Sequence, residues 1–334
     1  MTRIFSGIQP TGRKHLGNYI GAIAQYVTSQ ERGEGLFCIV DLHAITVAYE
    51  PAELRRSLYD LTALLLASGL DPERCILFRQ SDVLAHAELT WLLSSVTELG
   101  RLQRMHQFRD KSLAQRELVS AGLLLYPVLM AADVLLYRAN EVPVGDDQRE
   151  HVELMRDVAR RFNARFGGGE EALVVPELRI PEVGARIMDL QDPTSKMSTT
   201  SGSEQGTVYV LDDATAVEKK FKSAVTDSGS EIAISDEKPG IGNLIEIYAA
   251  VSGLAPAEAV ERFAEARYGE FKLAVAEAVN AYLEPTRLRY RELRGDVAAL
   301  EVVLADGAAR ASAIARETLR DVRELMGLGV PQGT

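Results

Sequence analysis

Along the first half of the chain, short apolar runs alternate with segments whose apolar positions recur every three to four residues. Ile4-Phe5-Ser6-Gly7-Ile8 predicts a strand. Over 18–30, Ile20, Ile23, Ala24 and Val27 share one face and predict a helix, which Gly33-Glu34-Gly35 breaks. Leu36-Phe37-Cys38-Ile39-Val40-Asp41 is apolar up to its aspartate, the pattern of a strand buried on both faces. Pro51 suits the first turn of a helix that runs to about 68, where Gly69 ends it. Cys75-Ile76-Leu77-Phe78 predicts a third strand, followed by helices over about 85–99 and 121–137. Glu141-Val142-Pro143-Val144-Gly145 predicts a short fourth strand leading into a helix from 146.

Strands separated by helices predict an α/β fold with a Rossmann-like parallel sheet and right-handed crossovers. Ligands in such sheets bind at the carboxyl ends of the strands. Gly7 and Gln9, Asp41 and His43, and Gly145 and Asp147 fall there. After about 206 the pattern changes. From about 214 the chain reads as helical almost to its end, with a break at Lys238-Pro239-Gly240-Ile241-Gly242. The expected division is an α/β domain over 1–205, a helical domain over 206–290, and final helices over 291–334 that pack back on the sheet.

The 334 residues are 46% hydrophobic and 25% charged, ordinary proportions for a globular protein. No apolar run approaches the roughly 20 residues needed to span a bilayer, and the first residues lack signal-peptide features. Cys38 and Cys75 sit in strand-like runs without a Cys-x-x-Cys pair or histidine cluster. They read as buried thiols of a reducing compartment, so a cytoplasmic protein without side-chain metal ligands is expected. A net charge of −11 argues against a protein that coats DNA or RNA non-specifically. Two local basic clusters stand out, Arg101, Arg104, Arg109, Lys111 and Arg116, and Lys219, Lys220 and Lys222. Each reads as a solvated helix face.

Candidate chemistry falls in four places. Gly7-Ile8-Gln9-Pro10-Thr11-Gly12 follows the first strand, and Gly17-Asn18 opens a helix whose free N–H groups favour phosphate. This is neither the dinucleotide fingerprint nor the Gly-x-x-x-x-Gly-Lys loop, and a plain strand–turn–helix junction reads equally well. His15 and Asn18 add hydrogen-bonding groups beside that helix start. Lys196-Met197-Ser198-Thr199-Thr200 sets one cation in a flexible, hydroxyl-rich loop, so a nucleotide could be closed in from two sides. Asp133 lies in an apolar stretch, where a carboxylate is costly unless it is paired within the fold or accepts a hydrogen bond from a ligand. In Gly145-Asp146-Asp147-Gln148, Asp146 suits a helix cap while Asp147 and Gln148 could bind hydroxyls and an amine.

Six ordered blocks now carry a resemblance: 5–12, 15–21, 37–46, 126–133, 142–148 and Lys196-Met197-Ser198. Over essentially its whole length the chain resembles class I aminoacyl-tRNA synthetases, specifically the bacterial tryptophanyl type. The resemblance implies that ATP with Mg2+ activates L-tryptophan to tryptophanyl-adenylate, which is then transferred to tRNA(Trp) by a homodimer. It implies catalytic roles for Gln9, Asn18 and Lys196. Pro10, Thr11, His15, Gly17, Met197, Ser198, Thr199 and Thr200 would line the ATP. Gly145 and Asp147 would hold the ribose, Asp146 would also line the ATP, and Ile187 would touch adenine. Asp133 would accept the indole N–H, walled by Phe5, Gly7, Met130, Val142 and Val144. Tyr126 and Gln148 would meet the amine, with His43 nearby. The helical half would bind the anticodon stem.

The resemblance makes His15-Leu16-Gly17-Asn18 the first family signature and Lys196-Met197-Ser198-Thr199-Thr200 the second, and the chain departs from the pattern at Thr199, where the second usually carries another lysine. Lys111 is the expected replacement for that charge. Three other readings remain open: a tyrosyl-tRNA synthetase, a silent paralogue that binds RNA or a protein, and a small-molecule nucleotidyltransferase.

Overall fold

The computed structural model describes residues 2–106, 119–143, 145, 148–179, 187–199 and 202–329. Arg109, Lys111, Arg116, Val144, Asp146, Asp147 and Thr200 lie outside these residues.

Five strands form one parallel sheet in the order β3-β2-β1-β4-β5: β1 (Arg3–Ile8), β2 (Glu34–Ile39), β3 (Cys75–Arg79), β4 (Glu141–Pro143) and β5 (Glu177–Arg179). Successive strand side chains point to opposite faces. Leu36, Cys38, Ile76 and Phe78 accordingly enter one buried cluster, and Phe37, Ile39, Cys75 and Leu77 enter the other. Both faces are covered, which explains the unbroken apolar runs of β2 and β3. β5 escapes sequence pattern because it has no apolar run. It is an edge strand made by pairing with β4.

The first helix begins earlier than its periodicity suggests. α1 (Leu16–Asn18) passes through a π-helical turn (Tyr19–Ile23) into α2 (Ala24–Ser29). β2 ends in a short α3 (Asp41–Ala44), and α4 (Pro51–Ala67) leads to β3. The helix expected over 85–99 is two, α5 (Ala85–Ser94) and α6 (Leu99–Arg104). The Ser94, Ser95 and Thr97 hydroxyls donate back to the carbonyls of Thr90, Leu92 and Leu93, offering the backbone an alternative to helix. α7 (Ala121–Leu135) starts at Ser120, whose Oγ accepts from Leu123 N at 3.2 Å. α8 (Arg149–Phe166) crosses from β4 to β5.

The C-terminal part comprises α9 (Ala214–Lys222), α10 (Pro239–Ser252), α11 (Pro256–Arg262), α12 (Tyr268–Arg294) and α13 (Val297–Leu325). Between α9 and α10 the chain is irregular rather than helical. α13 returns to the sheet across β3. Its Leu304 joins one core cluster and its Ala308, Ala311, Ala315, Leu319 and Val322 the other. Gly307 permits that crossing, because a Cβ there would sit 1.9 Å from the Leu77 carbonyl oxygen. The helix thereby covers the β3 edge of the sheet. Among the described residues no helix is long and apolar enough to cross a membrane.

Gly307→Ala is expected to lose about 1–3 kcal/mol or more in urea unfolding, because the backbone carbonyl cannot move aside. Gly242→Ala, in α10 with open space around it, should instead gain up to about 1 kcal/mol from helix propensity. Equal effects at the two sites would contradict the close approach of α13 to β3.

Candidate nucleotide and substrate site

β1 ends in a turn shaped by Gly12, whose φ of 65° is disfavoured for residues with a side chain. A Cβ on Gly12 would lie 3.5 Å from Thr199 Oγ1, so the turn and the Lys196 loop are in contact. Lys14 folds back over the turn. Its Nζ donates to the carbonyls of Gln9 at 2.8 Å and Thr11 at 2.9 Å, and burial lowers its pKa to about 8.

The following helix opens with a reciprocal cap. Asn18 N donates to His15 Nδ1, and His15 N donates to Asn18 Oδ1, both at 3.2 Å. Because Nδ1 accepts, the neutral imidazole carries its proton on Nε2. Burial, followed by the Lys14 charge, lowers the His15 pKa to about 4, so the ring is neutral at pH 7. The cap consumes the Asn18 oxygen and leaves its Nδ2 group to donate. Gly17 lets the chain pass close to this cap, since a Cβ would lie 3.1 Å from the His15 ring and 3.5 Å from Ile187 Cβ.

The described part of the Lys196 loop is anchored rather than free, contrary to the flexible loop expected from its composition. Lys196 and Met188 form an antiparallel bridge, flanked by Asp189 N to Ser195 O at 2.9 Å and Met197 N to Ile187 O at 3.1 Å. Asn243 of α10 grips both polar groups of the Met188 backbone, at 2.9 and 3.0 Å. Met197 is buried and pins the loop, while Lys196 and Thr199 on either side are exposed. Ser198 O accepts from Gly202 N and Thr207 Oγ1, both at 3.2 Å. Asp189 is buried beside Gly206, where any side chain would strike its carboxylate at 1.8 Å.

An ion-pair cluster ties the two segments together. Arg13 donates to Asp212 Oδ1 at 2.7 Å and to Glu204 at 2.9 Å, and its guanidinium lies 3.5 Å over the Tyr209 ring. Lys220 donates to Asp212 Oδ2 and the Thr207 carbonyl, both at 2.7 Å. Lys219 and Lys222 are exposed, as expected of a solvated face, but Lys220 is buried, which corrects that expectation for this residue. Beneath the cluster, Leu16 N donates to Val208 O at 2.8 Å and Val210 N to Lys14 O at 2.9 Å. Arg287 of α12 adds a 2.9 Å bond to the Val210 carbonyl. In the other basic cluster, Arg101 lies 3.5 Å from Asp157.

A second group of residues surrounds Asp133 on α7. The carboxylate is buried, with Oδ1 accepting from Gln80 Nε2 at 2.6 Å and His86 Nδ1 at 2.7 Å, and Oδ2 from His43 Nε2 at 2.7 Å. Burial raises its pKa, but the His43 charge and the histidine hydrogen bonds outweigh that and hold it at about 2. Of the two readings foreseen for Asp133, the structure shows pairing within the fold, which uses three of the about four lone-pair positions of a carboxylate. Met130 and Tyr126 lie three and seven residues earlier on the same helix face. Tyr126 meets the His43 ring edge-on, with centroids 6.3 Å apart, and its hydroxyl is 3.0 Å from His151 Nε2. Burial raises the Tyr126 pKa to about 12. Phe5 stacks on Tyr137 and shares the core cluster with Val142. Gly7 accommodates Val40, whose methyl would be 2.9 Å from a Cβ. Gly145 O accepts from Gln148 N at 3.0 Å at the start of α8.

The structure thus gathers Gln9, Pro10, Thr11, His15, Gly17, Asn18, Ile187 and Lys196–Thr199 around the first signature, and Phe5, His43, Tyr126, Met130 and Asp133 around α7. Sequence reasoning missed Gln80, His86, Tyr137, Arg13 and Asn243. Gln80 was findable, because it directly follows β3 and so sits at a carboxyl strand end like Gly7 and Asp41. Among the described residues no group of three His, Cys, Asp or Glu is arranged to hold a metal.

The His15 cap should make stability pH-dependent. Its folded pKa of about 4 is below the ordinary 6.5, so the unfolded chain takes up the proton first. Stability then falls as pH drops from about 6.5 and levels off below about 4. Between pH 7 and 5 the wild type should lose about 2 kcal/mol more than His15→Asn, which keeps a capping oxygen without titrating. Parallel pH profiles of the two proteins in urea would rule this out.

The sequence model of the tRNA synthetases class I (W and Y) matches residues 1–284. The tryptophan–tRNA ligase of Enterococcus faecalis is 48% identical over 332 residues, covering 98% of each chain. The crystal structure of tryptophanyl-tRNA synthetase from Mycoplasma pneumoniae superposes with a TM-score of 0.86 at 36% identity, covering 98% of each chain. That of the Campylobacter jejuni tryptophanyl-tRNA synthetase, complexed with ADP and tryptophan, gives 0.85 at 35% identity over 98% of this chain and 100% of that one. With a family match over most of its length and relatives of this identity, the chain belongs to the class I tRNA synthetases of the tryptophan and tyrosine type.

Proposed function

We propose that the chain is a tryptophan–tRNA ligase. A carboxylate oxygen of L-tryptophan attacks the α-phosphorus of ATP, the α–β bridging P–O bond breaks, and pyrophosphate leaves. The terminal adenosine hydroxyl of tRNA(Trp) then attacks the carbonyl carbon of the adenylate, releasing AMP. Mg2+ arrives with the triphosphate as part of the substrate. The observation that carries the choice of tryptophan is Asp133, a buried carboxylate with one acceptor position left on Oδ2. A pocket built around an acceptor rejects side chains that bring no donor, because the acceptor stays unpaired.

Chemistry of this kind asks the protein for positioning and charge rather than for a nucleophile. Gln9, Pro10, Thr11, Gly17 and Asn18 line the ATP, with the neutral His15 donating from Nε2. Ile187 meets adenine, Gly145 and Asp147 take the ribose, and Asp146 also lines the ATP. Lys196 offsets the charge of the departing pyrophosphate, helped by Lys111 in place of a lysine at Thr199. Tyr126, His43 and Gln148 surround the substrate amine. The helical region over 206–290 takes the anticodon stem of tRNA.

The partner in assembly is a second copy of the chain. Leu84, which caps α5, and Trp91 within it lie seven residues apart, 83% and 76% exposed, and Leu99 at the start of α6 is exposed as well. So much apolar surface in one place favours a covered face. A cytoplasmic location fits the substrates and the free thiols of Cys38 and Cys75.

Purified protein should exchange pyrophosphate into ATP with tryptophan and not with tyrosine. Exchange of equal efficiency with tyrosine would sink the reading. Lys196→Ala should lower exchange by about 100-fold or more with little change in melting temperature. Lys111→Ala should lose activity that Thr199→Lys restores. Activity near wild type in Lys111→Ala would remove Lys111 from the site. Trp91 is the sole tryptophan of the chain, so in substrate-free protein its emission should shift to the red on dilution, and Trp91→Arg should sediment as a monomer. A concentration-independent monomer would exclude the dimer.

A further inference from the structure

The side chains that hold Asp133 do more than neutralise it. Gln80 is fully buried at the carboxyl end of β3, and its Oε1 accepts from Leu42 N at 3.1 Å. That bond fixes the amide, so its Nε2 must face Asp133 Oδ1 at 2.6 Å. His86 is fully buried on α5, with Nδ1 2.7 Å from the same oxygen and Nε2 2.7 Å from the Tyr137 hydroxyl. An ionised carboxylate only accepts, so Nδ1 carries a proton, and a neutral ring then accepts at Nε2 from the Tyr137 hydroxyl. Tyr137 is held in turn by Phe5, whose ring lies 5.6 Å away at 11°. Two donors from two different elements thus saturate Oδ1. Oδ2 has His43 at 2.7 Å and, by lone-pair count, one position left.

We propose that Gln80 and His86, with Tyr137 behind His86, are positioning residues that lock the Asp133 carboxylate so that it presents a single acceptor, Oδ2, and that this lock sets the preference for a substrate bearing an indole N–H. The inference rests on the reading that Asp133 meets the indole. Without the lock the carboxylate can rotate about its terminal torsion, which is broad. It then satisfies itself with fewer, poorer donors and penalises a substrate without an N–H less. The lock touches neither ATP nor the signature loops, so its loss should appear in tryptophan selectivity and not in the KM for ATP.

The test compares pyrophosphate exchange with L-tryptophan and with its benzothiophene isostere, in which sulfur replaces the ring N–H, using the full-length protein. His86→Leu is expected to lower the ratio of the two kcat/KM values by at least about tenfold, mainly through the KM for tryptophan, with the KM for ATP within about twofold. His86→Asn supplies an amide N–H near the Nδ1 position and should recover most of the ratio. Tyr137→Phe, which keeps the stacked ring and loses only the hydroxyl donor, should lower the ratio about threefold and serves if His86→Leu does not fold. A wild-type ratio in folded His86→Leu, or in Tyr137→Phe where that is the variant available, overturns the inference. Asp133→Ala separates the two claims. If it abolishes the preference while the lock variants keep it, only the lock is wrong. If Asp133→Ala keeps the preference, the assignment of Asp133 to the indole is wrong as well.

Discussion

The position of β1 governs the rest of the molecule. It is the strand from which the sheet grows in both directions, toward β2 and β3 on one side and β4 and β5 on the other. Connections that leave a parallel sheet in opposite directions diverge above the shared strand, and the divergence leaves a crevice at the carboxyl ends. Gly7, Gln9 and the first signature rise from β1 itself, and Val142 and Gly145 rise from the neighbouring β4. The residues assigned to nucleotide and amino acid are therefore neighbours because of strand order, although more than 120 residues separate them along the chain.

Burial of charge is the second organising constraint, and it is met in different ways around the crevice. Asp133 is stabilised by three donors and stays ionised. Lys220 is matched by Asp212 and a carbonyl, and Asp212 is matched again by Arg13. A buried charge stripped of its partner is far more costly than the intact pair is favourable. These clusters consequently act less as sources of stability than as fixtures of position. One fixes the Asp133 carboxylate. The other joins the turn after β1 to the segment that follows the Lys196 loop.

Thr199 changes meaning in this setting. A lysine at that position would place a second cation next to Lys196. Thr199 instead packs its hydroxyl toward Gly12. Arg13 and Lys220 are nearby cations, but both are committed to carboxylates. Neither is free to take over the charge, so Lys196 is the exposed cation of this loop among the described residues.

Periodicity alone identified β1 to β4, the helices that follow them and the helical character beyond 214, because apolar patterning reports burial directly. Strand ends and helix starts then pointed to Gly7–Asn18, Asp41–His43 and Gly145–Gln148 without any contact being known. Other features were decided only by tertiary structure. β5 exists because β4 offers an unpaired edge, and no local pattern encodes a neighbour. The break between α5 and α6 depends on hydroxyls choosing backbone carbonyls. Lys220 looks like any surface lysine until Asp212, eight residues earlier, is folded against it. Asp133 was conspicuous as a charge in an apolar run, but its donors come from α3, the residue after β3 and the start of α5, 47 to 90 residues away. A sequence announces that a buried charge must be satisfied. Which atoms satisfy it, and which lone pair remains for a ligand, is set by the packing of distant elements.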